Sequence, residues 1–476
     1  MPGLFGILNL GAQSLSNQQL GIEVAGHNLA NVNTPGYSRQ RVNLATTTPI
    51  RLPFGPVGTG AQVTGISQVR NAILDSQIQG ETSVRGFLDA QRSALQYGQA
   101  ILGQSIDRLS SGAEGAAAAA GVGGQHGIAE HLADLFASFQ SLSTDPASLT
   151  ERQNVLLRAQ ELATQFNQID GRLGGLRDSL NRTLGEGVDQ ANALIDSIAD
   201  LNRRILTSEN GQPGSANDLR DLRQQRIEEL AGLVDLQTVE QANGAVNLSI
   251  AGVDILDGPN VLDRLETFDA GGGQFLVRTQ AGAATLALGG GSLQGTIEAR
   301  DGGLQTLRTN LDTLAGQLIT QVNTLHRAGF DLAGGTGQDF FTGTGAADIA
   351  VNSVLLADPA RLQAAGAAGA AGDNQVALAL GQLANQPQAG LGNRTFSQSF
   401  TAAVAGLGQS IQSLNSQIAS QDLVGNMLLR QRDAVSGVSL DEEMTNLMRY
   451  QKAFEASARV ITTVDEMLET VLSLKR

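Results

Sequence analysis

Hydrophobic residues recur every seven positions at both ends of this chain. Near the start, Leu8, Leu15, Ile22 and Leu29 form one row, with Leu4, Ala25 and Val32 at companion positions. Near the end, Leu440, Leu447, Phe454, Ile461 and Leu468 form another, with Met444, Ala458 and Leu472 filling part of a second row. Such stripes predict helices that pack side by side as in a coiled coil. Ser439 and Glu442 read as the capping box of the last helix, with Asp441 to Glu443 at its positive end and Lys475 and Arg476 at its negative end. Gly11, Gln18, Gln451 and Asp465 interrupt the two rows. The terminal helices are therefore expected to meet each other and to call for further partners.

The inner chain repeats the theme. Leu88, Leu95, Leu102 and Leu109 make a seven-residue row, and Leu407, Ile411, Leu414 and Ile418 follow a four-three spacing. A long helix is expected from Asp145-Pro146, with Asp as cap and Pro in the first turn, through Val155, Leu162, Phe166, Ile169 and Leu173 to Ile205. About 60 residues at 1.5 Å each give roughly 90 Å. The spacing stutters at Leu180, Leu184 and Val188, and Gly174-Gly175 marks a candidate interruption. Leu304, Leu307, Leu311, Leu314, Leu318, Val322 and Leu325 predict a further helix.

Between Leu236 and Ala299 the period falls to two. Val246, Leu248 and Ile250 alternate with Asn247 and Ser249, bounded by the turn signals Asn243-Gly244 and Asp257-Gly258, and Phe275, Val277, Thr285, Leu286 and Leu288 read as later strands. The expected fold is mainly α with a small β insert: an elongated multi-helix bundle or coiled coil formed by N- and C-terminal segments, with a central inserted β domain. Residues 1–45 plus 437–476 would form a tube-forming terminal helical core. Residues 46–235 plus 300–436 would form a rod-like long-helix domain with a small β hairpin near 57–69, and 236–299 an outer β domain. The Ala/Gly-rich stretches Gly112 to Gly124 and Ala364 to Gly372 read as linkers.

Composition narrows the chemistry. The chain has 476 residues, 41% of them hydrophobic but only 4% aromatic, which suits long helices better than a compact enzyme core. A formal net charge of −15 argues against binding a phosphate backbone, so no nucleic-acid partner is expected. With Cys 0, disulfides, thiolate metal sites and a cysteine nucleophile are excluded. His27, His126, His131 and His326 form no HExxH pair and read as surface or packing residues, and Lys452 and Lys475, the two lysines, follow no glycine-rich phosphate loop. No catalytic residues, metal ligands or cofactor are therefore assigned. A paired-carboxylate hydrolase is disfavoured by the scarcity of aromatic residues to stack on sugars. No stretch has the roughly 18 apolar residues of a membrane span, and the start of the sequence shows no general secretory leader.

The segment Leu29-Ala30-Asn31-Val32-Asn33-Thr34-Pro35-Gly36-Tyr37-Ser38-Arg39-Gln40 reads physically as a helix stop: Pro35 excludes the α conformation at Thr34, and Pro-Gly favours a turn into extended chain. It also resembles, nearly letter for letter, the signature of the axial proteins of the bacterial flagellum, which are rod, hook and hook-associated proteins. Asp145-Pro146 with Arg152 to Leu156, then Arg300-Asp301-Gly302, Asn323, Leu325-His326, Gly329 to Leu332 and Gly337 to Phe341 are similar to the hook-associated protein 1 family within that group. So are Ser436 to Glu443 and Arg449 to Ala458 near the end.

The resemblance implies a structural, non-enzymatic protein in the ring of subunits joining hook to filament, outside the cell. The partners it implies are hook protein, hook-associated protein 3 and other copies of the chain. It also implies type III export without a cleaved signal, with an export chaperone on the C-terminal helix. On this reading the assembly residues are Leu4, Leu8, Leu15, Ile22 and Leu29 in the first seam; Asn31, Thr34, Pro35, Gly36, Tyr37, Arg39 and Gln40 in the signature turn; and Leu440, Met444, Leu447, Phe454, Ala458, Ile461, Leu468 and Leu472 in the last seam. The rival is another axial protein, a hook or distal rod component, which would carry mostly β domains between its terminal helices. Coiled-coil scaffolding unrelated to flagella is the bland alternative.

Overall fold

The computed structural model describes residues 3–52, 55–102, 127–210 and 214–473. Leu109, the Gly112 to Gly124 stretch, His126, Lys475 and Arg476 lie outside the described residues. The chain opens with α1 (Leu4–Ala30), β1 (Gln40–Thr46), β2 (Ile50–Leu52), β3 (Gly55–Val57) and β4 (Ala61–Gln68). Four helices follow: α2 (Ala72–Ile101), α3 (Ile128–Thr144), α4 (Leu149–Ser208) and α5 (Asn217–Leu233). The insert holds β5 (Leu236–Glu240), β6 (Val246–Ile250), β7 (Val253–Asp257), β8 (Asn260–Val261), β9 (Leu265–Asp269) and β10 (Phe275–Thr279). Next, α6 (Gly291–Glu298) passes through a π-helical turn at Ala299–Leu304 into α7 (Gln305–Arg327). β11 (Phe341–Thr342), β12 (Ala350–Val351), α8 (Ser353–Ala357) and α9 (Gln375–Gln382) lead to α10 (Phe396–Ser436) and α11 (Leu440–Ser473). Mainly helical architecture around a small β region is the expected fold class.

The long helix has the expected 60 residues but a different start. Ser148 caps α4, its side chain accepting from the Glu151 N–H, while Asp145 ends α3 and Pro146 lies in the turn between them. Gly174 and Gly175 do not interrupt it. Nothing lies within 4 Å of a Cβ built at either position, so each costs α4 only the weak helix propensity of glycine. Two apolar cores share this helix. Val155 to Leu173 pack with α3, α7, α9 and the first half of α10, whereas Leu184 to Ile198 pack with α5, α6 and the insert. Between the cores, buried Arg300 of the π turn donates to Asn181 Oδ1 and the Phe275 carbonyl at 2.8 and 2.7 Å.

In the insert, β5, β6, β7 and β8 form one antiparallel sheet in that order, and β9 pairs with β10. Val246, Leu248 and Ile250 are buried as their alternation requires. Residues 285–288 are not a strand: Thr285 makes a single bridge to Arg278, and Leu286 and Leu288 are buried as loop side chains. Nearer the start, β4 pairs with β1 around a bulge at Asn43/Leu44, and β2 pairs with β3. The Ala364 to Gly372 stretch is tied down at its start, where Ala364 and Ala365 are buried and Ala365 bridges Phe330. His326 is a packing residue. Its Nδ1 lies 2.7 Å from the Gln338 carbonyl and its Nε2 accepts from the Gln363 N–H at 3.0 Å. Burial pushes this imidazole down to about 4.

Candidate assembly site at the paired terminal helices

α1 and α11 lie antiparallel and in close contact, as four pairings in opposite order along the helices show. Gly11 faces Ile461, Ser14 meets Ser457, Gly21 faces Tyr450, and Asn28 reaches Glu443. The seam between them is made of small and polar residues. On α11 the row Glu443, Tyr450, Ser457 and Val464 points inward, with Ile461 alongside; on α1 the rows are Gly11, Gln18 and Ala25, and Ser14, Gly21 and Asn28. A Cβ at Gly11 would come within 2.8 Å of Ile461 Cγ1, and one at Gly21 within 2.8 Å of the Tyr450 ring. Gly11, which looked like a gap in the row, therefore lies on the contact line, where the missing side chain lets the backbones approach.

The large apolar rows flank this contact instead of filling it. Leu4, Leu8, Leu15, Ile22 and Leu29 are half-buried, as are Leu447, Ala458 and Leu468, whereas Ile461 of the same row fills the notch at Gly11. Leu440, Met444, Phe454 and Leu472 are exposed, the last at 69%. Phe5 and Met448 are exposed as well. The physical reason is periodic: the inward row on α11 sits three positions from the leucine row, so mating through small residues turns the leucines sideways.

At one end the pair is locked by the signature turn. Asn28, 1% exposed, uses its whole amide. Oδ1 accepts from the Gln40 N–H at 2.9 Å and the Tyr37 hydroxyl at 2.8 Å, while Nδ2 donates to the Gln40 carbonyl at 2.9 Å and to Glu443 at 3.1 Å. Its side chain thus pairs with the Gln40 backbone as a neighbouring strand would. Arg39 bridges Glu442 and Glu443 at 2.7 and 2.8 Å, and its N–H donates to the Ser436 carbonyl between α10 and α11. The turn itself is held by Thr34 donating to Asn31 Oδ1 and by Asn31 donating to the His27 carbonyl. Gly36 has φ +75, and a Cβ there would collide with Gln225. Gln225 in turn donates to the Pro35 carbonyl at 2.6 Å.

The same turn is pinned to α5. Ser38 N–H donates to Asp221 at 2.9 Å, and Gln40 Nε2 to Asp218 at 2.8 Å. Burial pushes the Asp221 carboxyl up despite the Arg70 guanidinium 3.1 Å away. Burial, with the charges of Asp218, Asp221 and Glu443 around it, also pushes the Tyr37 phenol well above its ordinary value, so Tyr37 remains a donor. The signature is therefore a three-way joint between α1, α5 and the α10–α11 connection. Sequence reasoning missed Asn28 and the α5 acids. A polar residue on the apolar face of α1, one position before the quoted motif, was the available signal for Asn28. Asp218 and Asp221 gave none.

Three models of known protein families match separate parts of the chain. The flagellar hook-associated protein FlgK helical domain matches residues 120–341, the flagella basal body rod protein model residues 8–37, and the C-terminal model of the flagellar basal body rod FlgEFG proteins residues 431–474. The two short models fall on α1 with the signature turn and on the end of α10 with α11. Flagellar hook-associated protein 1 of Bacillus subtilis (strain 168) is 28% identical, covering 99% of each chain. Its counterpart in Escherichia coli (strain K12) is 24% identical, covering 98% of this chain and 100% of the relative. The solved structure of the flagellar hook junction protein FlgK from Burkholderia pseudomallei matches in fold with a TM-score of 0.64 at 15% identity, over 76% of this chain and 100% of that one.

Proposed function

Because the chain belongs to the flagellar hook-associated protein 1 family, we propose that it is a structural subunit of the junction between hook and filament. The family is structural and its place is the bacterial flagellum. The observation that carries the reading is the α1–α11 pair, mated through small residues with its large apolar rows left open. A lone molecule gains nothing from leaving Phe5, Met448 and Leu472 in water, whereas a ring of copies buries them at about 25 cal/mol per Å².

On this reading the chain catalyses nothing. Leu4, Leu8, Leu15, Ile22 and Leu29, together with Leu440, Met444, Leu447, Phe454, Ala458, Ile461, Leu468 and Leu472, contact neighbouring copies, hook protein on one side and hook-associated protein 3 on the other. Asn31, Thr34, Pro35, Gly36, Tyr37, Arg39 and Gln40 fix the angle at which the pair leaves the body. The division into residues 1–45 with 437–476, residues 46–235 with 300–436, and 236–299 is supported by the joint at the signature turn and by the sheet confined to the insert. Export proceeds through the type III route to the cell exterior, with a chaperone covering the open face of α11 beforehand. The test is deletion of the gene in its host, measuring cell-attached flagellin against flagellin in the medium. Hooks with lost flagellin are expected. Missing hooks would mean a rod or hook component, and unchanged filaments would refute the reading.

A further inference from the structure

A cavity of about 390 Å³ opens between α2, α5 and the insert, and none of its lining comes from α1 or α11. Five charged side chains line it. Arg70 is bonded to Asp75 and Asp221, and Arg220 to Glu209 and Glu240, so four of the five are neutralised in ion pairs. The fifth is Arg223, which has no ion-pair partner among the described residues although it is only 5% exposed. Its Nη1 donates to Asn202 Oδ1 at 2.9 Å and to the Gly244 carbonyl at 2.7 Å. Its Nε and Nη2 have no hydrogen-bond partner among the described residues. On α2, the buried Gln79 is in the same state: Oε1 accepts from the Thr238 hydroxyl at 3.4 Å, and Nε2 has no partner among the described residues.

Buried donors are normally satisfied, and a buried cation without a carboxylate carries a desolvation cost. Burial pulls the Arg223 guanidinium down to about 10, the direction that cost predicts, and leaves it charged at neutral pH. Holding Asn202 and Gly244 in place uses Nη1 alone. That structural duty calls for neither the second edge of the guanidinium nor the free amide of Gln79.

We propose that this cavity binds a small monocarboxylate, with Arg223 as the anchor of the carboxylate and Gln79 Nε2 as a second donor. The fork of Nε–H and Nη2–H matches a planar carboxylate, which accepts two parallel hydrogen bonds. One unspent positive charge calls for one negative charge. A dianion would set its second charge against Asp75 and Glu240, whose own partners are already in place. Ile227 and Val246, both buried, line the same cavity and suit a short aliphatic body. A ligand held by α5 and α2 ties together the two helices that Arg70 already links through Asp221 and Asp75, and Asp221 also holds the signature turn. Occupancy therefore stiffens the joint.

Calorimetric titration of the full chain at fixed ionic strength reads the site directly. Acetate, butyrate and hexanoate should bind saturably at one site; butyramide, which keeps the shape without the charge, and sulfate, a dianion, should not. Gln79→Leu removes one donor to a charged acceptor and should weaken butyrate about tenfold. Ser76 is exposed on α2 and lines the cavity, so Ser76→Trp should block entry without disturbing the core. Arg223→Gln should abolish binding; its melting curve shows whether it folds, and the other two variants decide the matter if it does not. Bound butyrate should also slow amide exchange in α2 and α5. No saturable binding by any of the three acids, equal binding of butyramide or sulfate, or full affinity in both Gln79→Leu and Ser76→Trp overturns the site. The junction reading is tested separately, by deletion of the gene.

Discussion

Replacing Asn28 by alanine tests the joint most directly. The substitution keeps α1 helical and removes four hydrogen bonds at once, at a position only 1% exposed. Tyr37 retains His27 Nδ1 at 3.0 Å, and Glu443 retains Arg39, so those two groups are partly compensated. The Gln40 N–H and carbonyl lose their paired partner, and orphaned buried groups cost about 1–3 kcal/mol each. The expected loss is therefore about 3 kcal/mol, confined to the docking of α1 and α11 on the signature turn. At about 1.4 kcal/mol per factor of ten, backbone amides of α1 and α11 should exchange with deuterated water about 100-fold faster, while those of α4 keep their protection. Asn28→Asp should be worse at neutral pH, because it has no N–H for the Gln40 carbonyl and sets a second carboxylate against Glu443. Unchanged exchange in α1 and α11, or an equal acceleration in α4, would refute the joint as the element that docks the pair.

Two further tests address the body. Gly174→Ala and Gly175→Ala together should stabilise the protein, by about 1 kcal/mol for each glycine, because both sites are helical with open space around the added methyl; a fall in melting temperature would mean that α4 needs its glycines to bend. His326 titrates at about 4 in the fold against about 6.5 in the unfolded chain. The unfolded state therefore takes up a proton that the folded state refuses, and stability present above pH 6.5 falls by up to about 3 kcal/mol as pH drops to 4. Urea unfolding at pH 7, 5.5 and 4 should show this slope, and His326→Gln should remove about one proton from it; an identical slope in the variant would show that other groups carry the dependence.

Helices with a continuous apolar period were legible from the sequence because each carries its own signal. The length of α4, the α7 heptads and the alternation at Val246, Leu248 and Ile250 are local properties. Starts and pairings were less legible. The sequence pointed to Asp145-Pro146 as the start of α4, whereas Asp145 ends α3 and Ser148 takes the cap. The partner of β4 is β1, with a bulge at Asn43/Leu44, and no spacing rule marks that choice. The terminal seam shows the same division. The leucine rows announced that both helices need partners, but the helices mate through Gly11, Gly21 and Ser457, whose lack of bulk reads as weakness until the facing side chain is known. Asp218 and Asp221 were invisible because a lone acid on a polar helix gives no hint that a turn some 180 residues earlier will donate to it.

The bond between Asn28 and Glu443 joins residues 415 positions apart. Contacts of such long range close a very large loop, and the chain entropy they cost must be met by everything folded between them. One consequence is order in time. Whenever this polypeptide emerges or is delivered from one end, the first helix must wait, unmated, until nearly the whole molecule has arrived. The joint works as a completion check: only a chain present through Glu443 can lock its two ends together at the signature turn.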